Sequence, residues 1–270
     1  MRYLVCGDVH AQWPSFYGHI TAARRGGIKF DQIIQVGDMG IYPGTMTALY
    51  RLFEKDTTTA VHFIDGNHEC HPYLRKTVNK LPDRINWHYH PRGDITTLTD
   101  GTVIGWMGGA LNADRAQEED GGGNYFNIPT GKVVNNFIKT VNKKELKIDL
   151  MITHSCPPGI GIRIPGHPAL ISSVQQYIGD IGFPVAPFED CGDFFLKPIY
   201  QELIHKPKTW AFGHFHVLTG RDVDQTHFQC VGMIGNIHAT RFYVYDTVTK
   251  KLTWEIPLHI PTEGPHFPLT

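Results

Sequence analysis

The sequence predicts a mixed α/β fold, on three observations. Short apolar, β-branched runs alternate with amphipathic segments through the first half; several of those runs stop at a glycine followed by Asp, Asn or a nearby His; and residues 217–256 alternate apolar and polar side chains in short runs, as antiparallel strands do.

The elements follow in order. A strand over residues 3–6 leads to a helix over 14–25 that Gly26-Gly27 closes, and a strand over 32–36 leads to a helix over 45–54 that opens after Pro43-Gly44. Strands over 60–64 and 103–106 complete a βαβαβ rhythm, which predicts a sheet covered by helices. The charge run 143–147 reads as a solvated helix face ahead of a strand over 149–153. Residues 155–208 form an excursion, Gly- and Pro-rich over 157–166 and helical over 191–205. A strand over 209–212 is followed by strands over 228–231, 242–245 and 252–256, which place the antiparallel content late. Neither an internal repeat nor a linker is visible, so one domain over 1–270 is expected, with the excursion overhanging the site.

Composition narrows the function. The 25 Lys+Arg against 26 Asp+Glu leave a net charge of -1, which argues against a broad electrostatic footprint for nucleic acid or anionic lipid. With 41% hydrophobic and 19% charged residues the chain has ample material for a core. Cysteines at 6, 70, 156, 191 and 230 make no C-x-x-C pair, and the odd number points to a reduced, cytoplasmic protein. The short apolar run at the N-terminus lacks the marks of a signal peptide, and no stretch of about 18 apolar residues predicts a membrane span. Histidine, at 16 of 270 residues, is in excess, and imidazole is the commonest metal ligand.

Placement matters more than the count. Gly7-Asp8-Val9-His10, Gly37-Asp38, Gly66-Asn67-His68-Glu69, Thr153-His154 and Gly213-His214-Phe215-His216 each follow an apolar strand run. Ligands on loops at the carboxyl ends of neighbouring strands converge in one crevice. Carboxylate, imidazole and one amide oxygen suit Mn²⁺, Fe or Zn²⁺ better than a soft-metal or Ca²⁺ site. The competing reading is that these residues are ordinary turn and cap residues, since Asp, Asn and Gly populate turns.

The ordered set D-x-H, GD, GNH, H and GHxH, spanning Asp8 to His216, resembles the calcineurin-like metallophosphoesterases. That resemblance implies a four-layer α-β-β-α sandwich with a dimetal site at the strand C-terminal ends. It implies a first metal held by Asp8, His10 and His216, a second held by Asn67, His154 and His214, and Asp38 bridging them. His68 resembles the family's catalytic imidazole, outside the metal shell. The implied cofactors are two divalent ions, Mn²⁺ first and Fe or Zn²⁺ as alternatives. The implied activity is that of a hydrolase acting on ester bonds, a phosphatase or phosphodiesterase on a small or nucleotide-like phosphoester, in which hydroxide activated by the metals attacks and His68 serves as general acid.

Where Ser/Thr protein phosphatases of this superfamily carry an Asp and then Arg-Gly, this chain has Ile41, Tyr42 and Pro43, which weakens a protein-phosphatase reading and leaves open what orients His68. Asp65 or a backbone carbonyl is the candidate. The segment 108–115 resembles a motif of a bacterial and phage branch of the superfamily, and Cys191-Gly192 with Lys206-Pro207 bears a weaker likeness to class III cyclic-nucleotide phosphodiesterases. Arg115, Arg163 and His167 are candidate substrate contacts, each weighed against an ordinary surface or packing role. Cys70-His71, ahead of Pro72, reads as the start of a helix rather than a third metal site. Two alternatives stand beside the leading one: a nucleic-acid phosphodiesterase or nuclease, which the neutral charge disfavours, and a non-catalytic scaffold on the same fold.

Overall fold

The computed structural model describes residues 1–54, 56, 58–81, 84–111, 128–162, 192–234 and 242–257. The strands and helices predicted for the first half appear in the predicted order, with two short strands added between the third and fourth of the predicted strands. Strand β1 (Arg2–Cys6) leads to helix α1 (Trp13–Arg25), β2 (Gln32–Gln35) to α2 (Met46–Phe53), and β3 (Val61–Phe63) to α3 (His71–Thr77). Then come β4 (Trp87–Tyr89), β5 (Asp94–Thr97), β6 (Val103–Met107), α4 (Gly131–Lys143) and β7 (Leu150–Thr153). Helix α5 (Lys197–Glu202) precedes β8 (Thr209–Phe212), β9 (Leu218–Val223), β10 (Thr226–Val231), β11 (Phe242–Asp246) and β12 (Lys251–Glu255).

Among the described residues these strands form two six-stranded sheets, in the orders β12-β11-β1-β2-β3-β4 and β5-β6-β7-β8-β10-β9. In the first, β1 to β4 run parallel and β11 and β12 add antiparallel; in the second, β6, β7, β8 and β10 run parallel with β5 and β9 antiparallel at the edges. Antiparallel pairing is therefore not confined to the end of the chain, because β5 is already an antiparallel edge.

The layering follows from the two-residue period of strands, which sends alternate side chains to opposite faces. In β1, Leu4 and Cys6 join Trp13, Phe16, Ile20 and Ala23 of α1, Leu49 and Phe53 of α2, and Leu74 of α3. Tyr3 and Val5 point the other way, onto Ile104, Trp106, Leu150, Ile152 and Ala211 of the second sheet. The far face of that sheet, through Met107, Met151, Trp210 and Phe212, packs Val134, Phe137, Ile138 and Val141 of α4 and Ile199 of α5. Three cores separate four layers, so the α-β-β-α sandwich is observed. Both faces of each central strand are buried, which is why residues 3–6 and 150–153 read as unbroken apolar runs rather than as alternating ones.

Local signals end the helices as expected in some places and not in others. Helix α1 buries positions 16, 20 and 23 on one stripe and stops where Gly27 takes φ 83°, and the Ile28 N–H returns to the Ala23 carbonyl at 3.0 Å. Helix α4 begins at Thr130, whose hydroxyl accepts the Val133 N–H, and it ends at Lys143. Of the charge run 143–147 only Lys143 is therefore on the helix; the rest follows it, with Glu145 at φ 51°. The helix expected over 191–205 is shorter, a 3-10 turn at Phe194–Leu196 running into α5; Pro198 fits only the first turn and Leu203 is already extended.

Candidate metal centre

The parallel strands of both sheets deliver their carboxyl ends to one place. Loops after β1 carry Asp8 and His10, the loop after β2 Asp38, the loop after β3 Asn67 and His68, the loop after β7 His154, and the loop after β8 His214 and His216. Backbone conformation marks the spot: His10 (φ 48°), Asp38 (φ 54°), His214 (φ 65°) and His216 (φ 55°) are left-handed without being glycine. Such residues cost energy locally and persist where the surroundings over-determine them, which is common at functional sites. Two glycines make room. A Cβ on Gly37 would sit 2.5 Å from His154 Nδ1, and one on Gly66 would sit 2.1 Å from Asp38 Oδ1.

The donor atoms gather in two groups. Asp8, His10 and His216 bring ligand atoms within 4.8 Å of one another, and so do Asp8, Asp38 and His154. In the first, His10 Nε2 and His216 Nε2 are 3.0 Å apart, and His216 Nε2 is 3.0 Å from Asp8 Oδ2. In the second, His154 Nε2 is 3.1 Å from Asp38 Oδ2 and 3.1 Å from Asn67 Oδ1. Asp38 Oδ2 also lies 3.7 Å from His10 Nε2, so this one oxygen borders both groups. The His214 ring stands edge-on to that of His154 at 5.1 Å, and its backbone N–H donates to both oxygens of Asp8.

The donor set fits divalent cations, and His154 shows why. Its Nδ1 faces the Val36 carbonyl at 2.9 Å; a carbonyl only accepts, so Nδ1 carries the proton and Nε2 offers a lone pair. That lone pair points at the oxygens of Asp38 and Asn67, an arrangement of electron-rich atoms that needs a positive charge between them. Without a metal the charge is a proton: burial opposes it, but the Asp38 and Asp8 carboxylates push the His154 imidazole up to about 10. Burial would raise Asp38, yet His154 and then His68 and His10 hold its carboxyl well below the usual range. Asp8 and Asp38 are almost fully buried, at 0% and 1% exposed, and an uncompensated pair of buried carboxylates is costly.

His68 stands at the edge of this cluster, half-buried, its ring 5.2 Å from that of His10. Its backbone N–H donates to Asp38 Oδ1 at 2.7 Å and its carbonyl accepts the Tyr42 hydroxyl at 2.6 Å. Asp65, one candidate for orienting the ring, instead spends its carboxylate on Arg92 (2.8 and 2.6 Å) and Tyr89 (2.9 Å). Glu69, to which sequence reasoning assigned no role, is buried and accepts the backbone N–H groups of Met39, Gly40 and Gly66. The signal that could have found it is its position: a carboxylate on an apolar-flanked loop directly after Asn67-His68.

The structure thus brings Asp8, His10, Asp38, Asn67, His68, His154, His214 and His216 to one crevice. Arg115, Arg163 and His167 lie outside the described residues, as does Cys191. His71 opens α3 with Nδ1 3.7 Å from Asp65 Oδ2, and among the described residues it joins no third group of metal-ligating side chains. No helix of the described residues is long and apolar enough to cross a membrane.

Comparison with known proteins points the same way as the geometry. The family model described as calcineurin-like phosphoesterase matches residues 1–218. No curated protein matches the sequence significantly. Among solved structures, the protein TT1561 of Thermus thermophilus is similar at 12% identity with a TM-score of 0.59, the match covering 94% of this chain and 98% of that one. A dimetal phosphatase from Danio rerio is similar at 10% identity with a TM-score of 0.51, covering 90% and 91%. At such identities the likeness to these two structures concerns the fold alone.

Proposed function

The chain belongs to the calcineurin-like phosphoesterases, and on that premise we propose that it hydrolyses the phosphoester of a small or nucleotide-like substrate with two divalent ions, Mn²⁺ first and Fe or Zn²⁺ as alternatives. The observation that carries the reading is the pair of donor groups meeting at Asp8, with Asp38 Oδ2 bordering both. Asp8, His10 and His216 would hold one ion, Asn67, His154 and His214 the other, and Asp38 both. Bound there, the ions would supply Lewis acidity, making hydroxide available near neutral pH and neutralising charge on the phosphoryl oxygens.

The protein's own groups do the rest. Val36 holds the His154 tautomer through Nδ1, so Nε2 faces the crevice in every cycle. Asp38 positions the loop of His68 by accepting its backbone N–H at Oδ1, while Oδ2 faces His154 Nε2. His68, beside His10 and half-exposed, is placed to deliver a proton to the departing oxygen, a role typically worth 10²–10⁴-fold. A cytoplasmic site of action is part of this proposal, supported by the free thiols of Cys6, Cys70 and Cys230.

The test is a rate panel with and without Mn²⁺ on aryl phosphates, bis-aryl phosphates, cyclic nucleotides, dinucleoside polyphosphates and single-stranded DNA. Metal-dependent turnover of at least one phosphoester, abolished by EDTA and lowered about 10²-fold or more in His68→Ala, is expected. No rate above buffer with added Mn²⁺ on any member would refute the reading and favour a scaffold; turnover confined to DNA would favour a nuclease.

A further inference from the structure

We propose that Tyr42 and Glu69 are positioning residues which together clamp the loop bearing Asn67 and His68 against the loop bearing Asp38. The proposal rests on the two-metal reading above, because it concerns the separation of groups that would serve the two ions. The hydrogen bonds of both side chains run to backbone groups of the two loops.

The two loops leave different strands, β2 and β3, and once those strands end no ladder hydrogen bond holds them in register. Glu69 replaces the ladder. Its Oε1 accepts the Met39 N–H at 2.6 Å and the Gly40 N–H at 3.3 Å, both on the Asp38 loop, while Oε2 accepts the Gly66 N–H at 2.7 Å on its own loop. The side chain is 8% exposed, so water does not stand in for it, and both oxygens face donors. A carboxyl group has an oxygen for each side, where the carboxamide of Gln has only one. Tyr42 ties the same two loops from the opposite direction: its hydroxyl donates to the His68 carbonyl at 2.6 Å, and its own backbone N–H is pinned by the Thr45 hydroxyl at 3.1 Å. Glu69 therefore governs the gap between Asp38 and Asn67, and Tyr42 governs where the His68 backbone sits relative to them.

The two ties predict separable effects. Glu69→Gln is isosteric but replaces one of the two acceptor oxygens by an NH₂, so that a donor faces either the Met39 and Gly40 N–H groups or the Gly66 N–H, and one loop is released. Partners of this kind around metal ligands are typically worth 10–100-fold in metal affinity or activity. Tyr42→Phe removes the hydroxyl that holds the His68 carbonyl and changes no side chain of either donor group.

Calorimetric titration with Mn²⁺ and kcat on 4-nitrophenyl phosphate and phenyl phosphate, in the full-length protein, test this. Glu69→Gln should keep its far-UV circular dichroism yet bind at least one Mn²⁺ about tenfold or more weakly. Tyr42→Phe should bind Mn²⁺ like the wild type, hold kcat on 4-nitrophenyl phosphate within about threefold, and lose about tenfold or more on phenyl phosphate, whose poorer leaving group depends on the proton from His68. Equal losses on the two substrates would mean a merely structural Tyr42 and overturn its part; wild-type Mn²⁺ affinity in Glu69→Gln would overturn the other. If Glu69→Gln does not fold, Tyr42→Phe decides the proposal. A wild type that binds Mn²⁺ and turns over both substrates while both variants match it refutes the clamp alone, whereas a wild type that binds no Mn²⁺ refutes the two-metal reading and the clamp with it.

Discussion

Asp38→Asn isolates the charge that borders both donor groups. Asparagine has the shape of aspartate and keeps a carbonyl oxygen for the His68 N–H, so the loop bond at 2.7 Å survives. What disappears is one negative charge lying 3.1 Å from His154 Nε2 and 3.7 Å from His10 Nε2. Acting on a unit positive charge at those two places, it contributes about 5 and about 4 kcal/mol at an effective dielectric constant of about 20. Even if solvent and relaxation leave only about a third, roughly 3 kcal/mol remains, or about two decades of affinity. Mn²⁺ titration by calorimetry should therefore show about a 10²-fold or greater loss, with circular dichroism unchanged. The metal-free protein offers an independent readout. Burial opposes protonation of His154 and Asp38 is the largest of the influences that sustain it, so the imidazole, now held up at about 10, should titrate clearly lower in the variant by NMR. Mn²⁺ affinity within about threefold of wild type, or an unmoved His154 titration, would refute the reasoning that Asp38 electrostatically organises the cluster.

Two further outcomes concern stability. His62, hydrogen-bonded to Gln32 and His90, whose other nitrogen meets Asp94, is pulled down to about 3 by burial and then by His90 and His88. Its folded pKa is below the unfolded one near 6.5, so its contribution is complete above about pH 6.5 and is lost as pH falls toward 3; urea unfolding between pH 7.5 and 4.5 should show a shallower pH dependence in His62→Gln, and an identical slope would contradict this. Trp87, 1% exposed, is enclosed by Trp13, Phe16, Phe53 and Phe63 at ring separations of 5.0–6.1 Å, so Trp87→Ala should cost about 3–5 kcal/mol by urea unfolding; a loss below about 1 kcal/mol would mean the helix-facing core is not packed as described.

Legibility in the sequence followed burial and locality. Central strands such as β1 and β7 are buried on both faces and announce themselves as apolar runs, and helix α1 carries its own stripe and its own glycine stop. The strands that sequence reasoning missed are short or edge elements: β4 spans Trp87–Tyr89, β5 is the half-exposed Asp94–Thr97, and β9 is mostly exposed over Leu218–Val223. Their pairing is decided by neighbours distant in the chain, which leaves little pattern in their own residues. Helix α5 was overextended because the apolar residues around Ile199 suit a 3-10 turn and a helix equally well.

What the sequence determined by itself was the candidate inventory: Asp8, His10, Asp38, Asn67, His68, His154, His214 and His216, each placed by a strand end and a turn, which are local features. The tertiary structure alone decided how those groups face one another. That His154 from the second sheet turns its protonated nitrogen to Val36 of the first, that Asp38 borders both donor groups, that Asp65 belongs to Arg92 and Tyr89 rather than to His68, and that Glu69 and Tyr42 tie two loops together are all contacts between residues from different strands. Such contacts come from the packing of one sheet on the other and of loop on loop, and no spacing along the chain encodes a distance set by how two separate strands end.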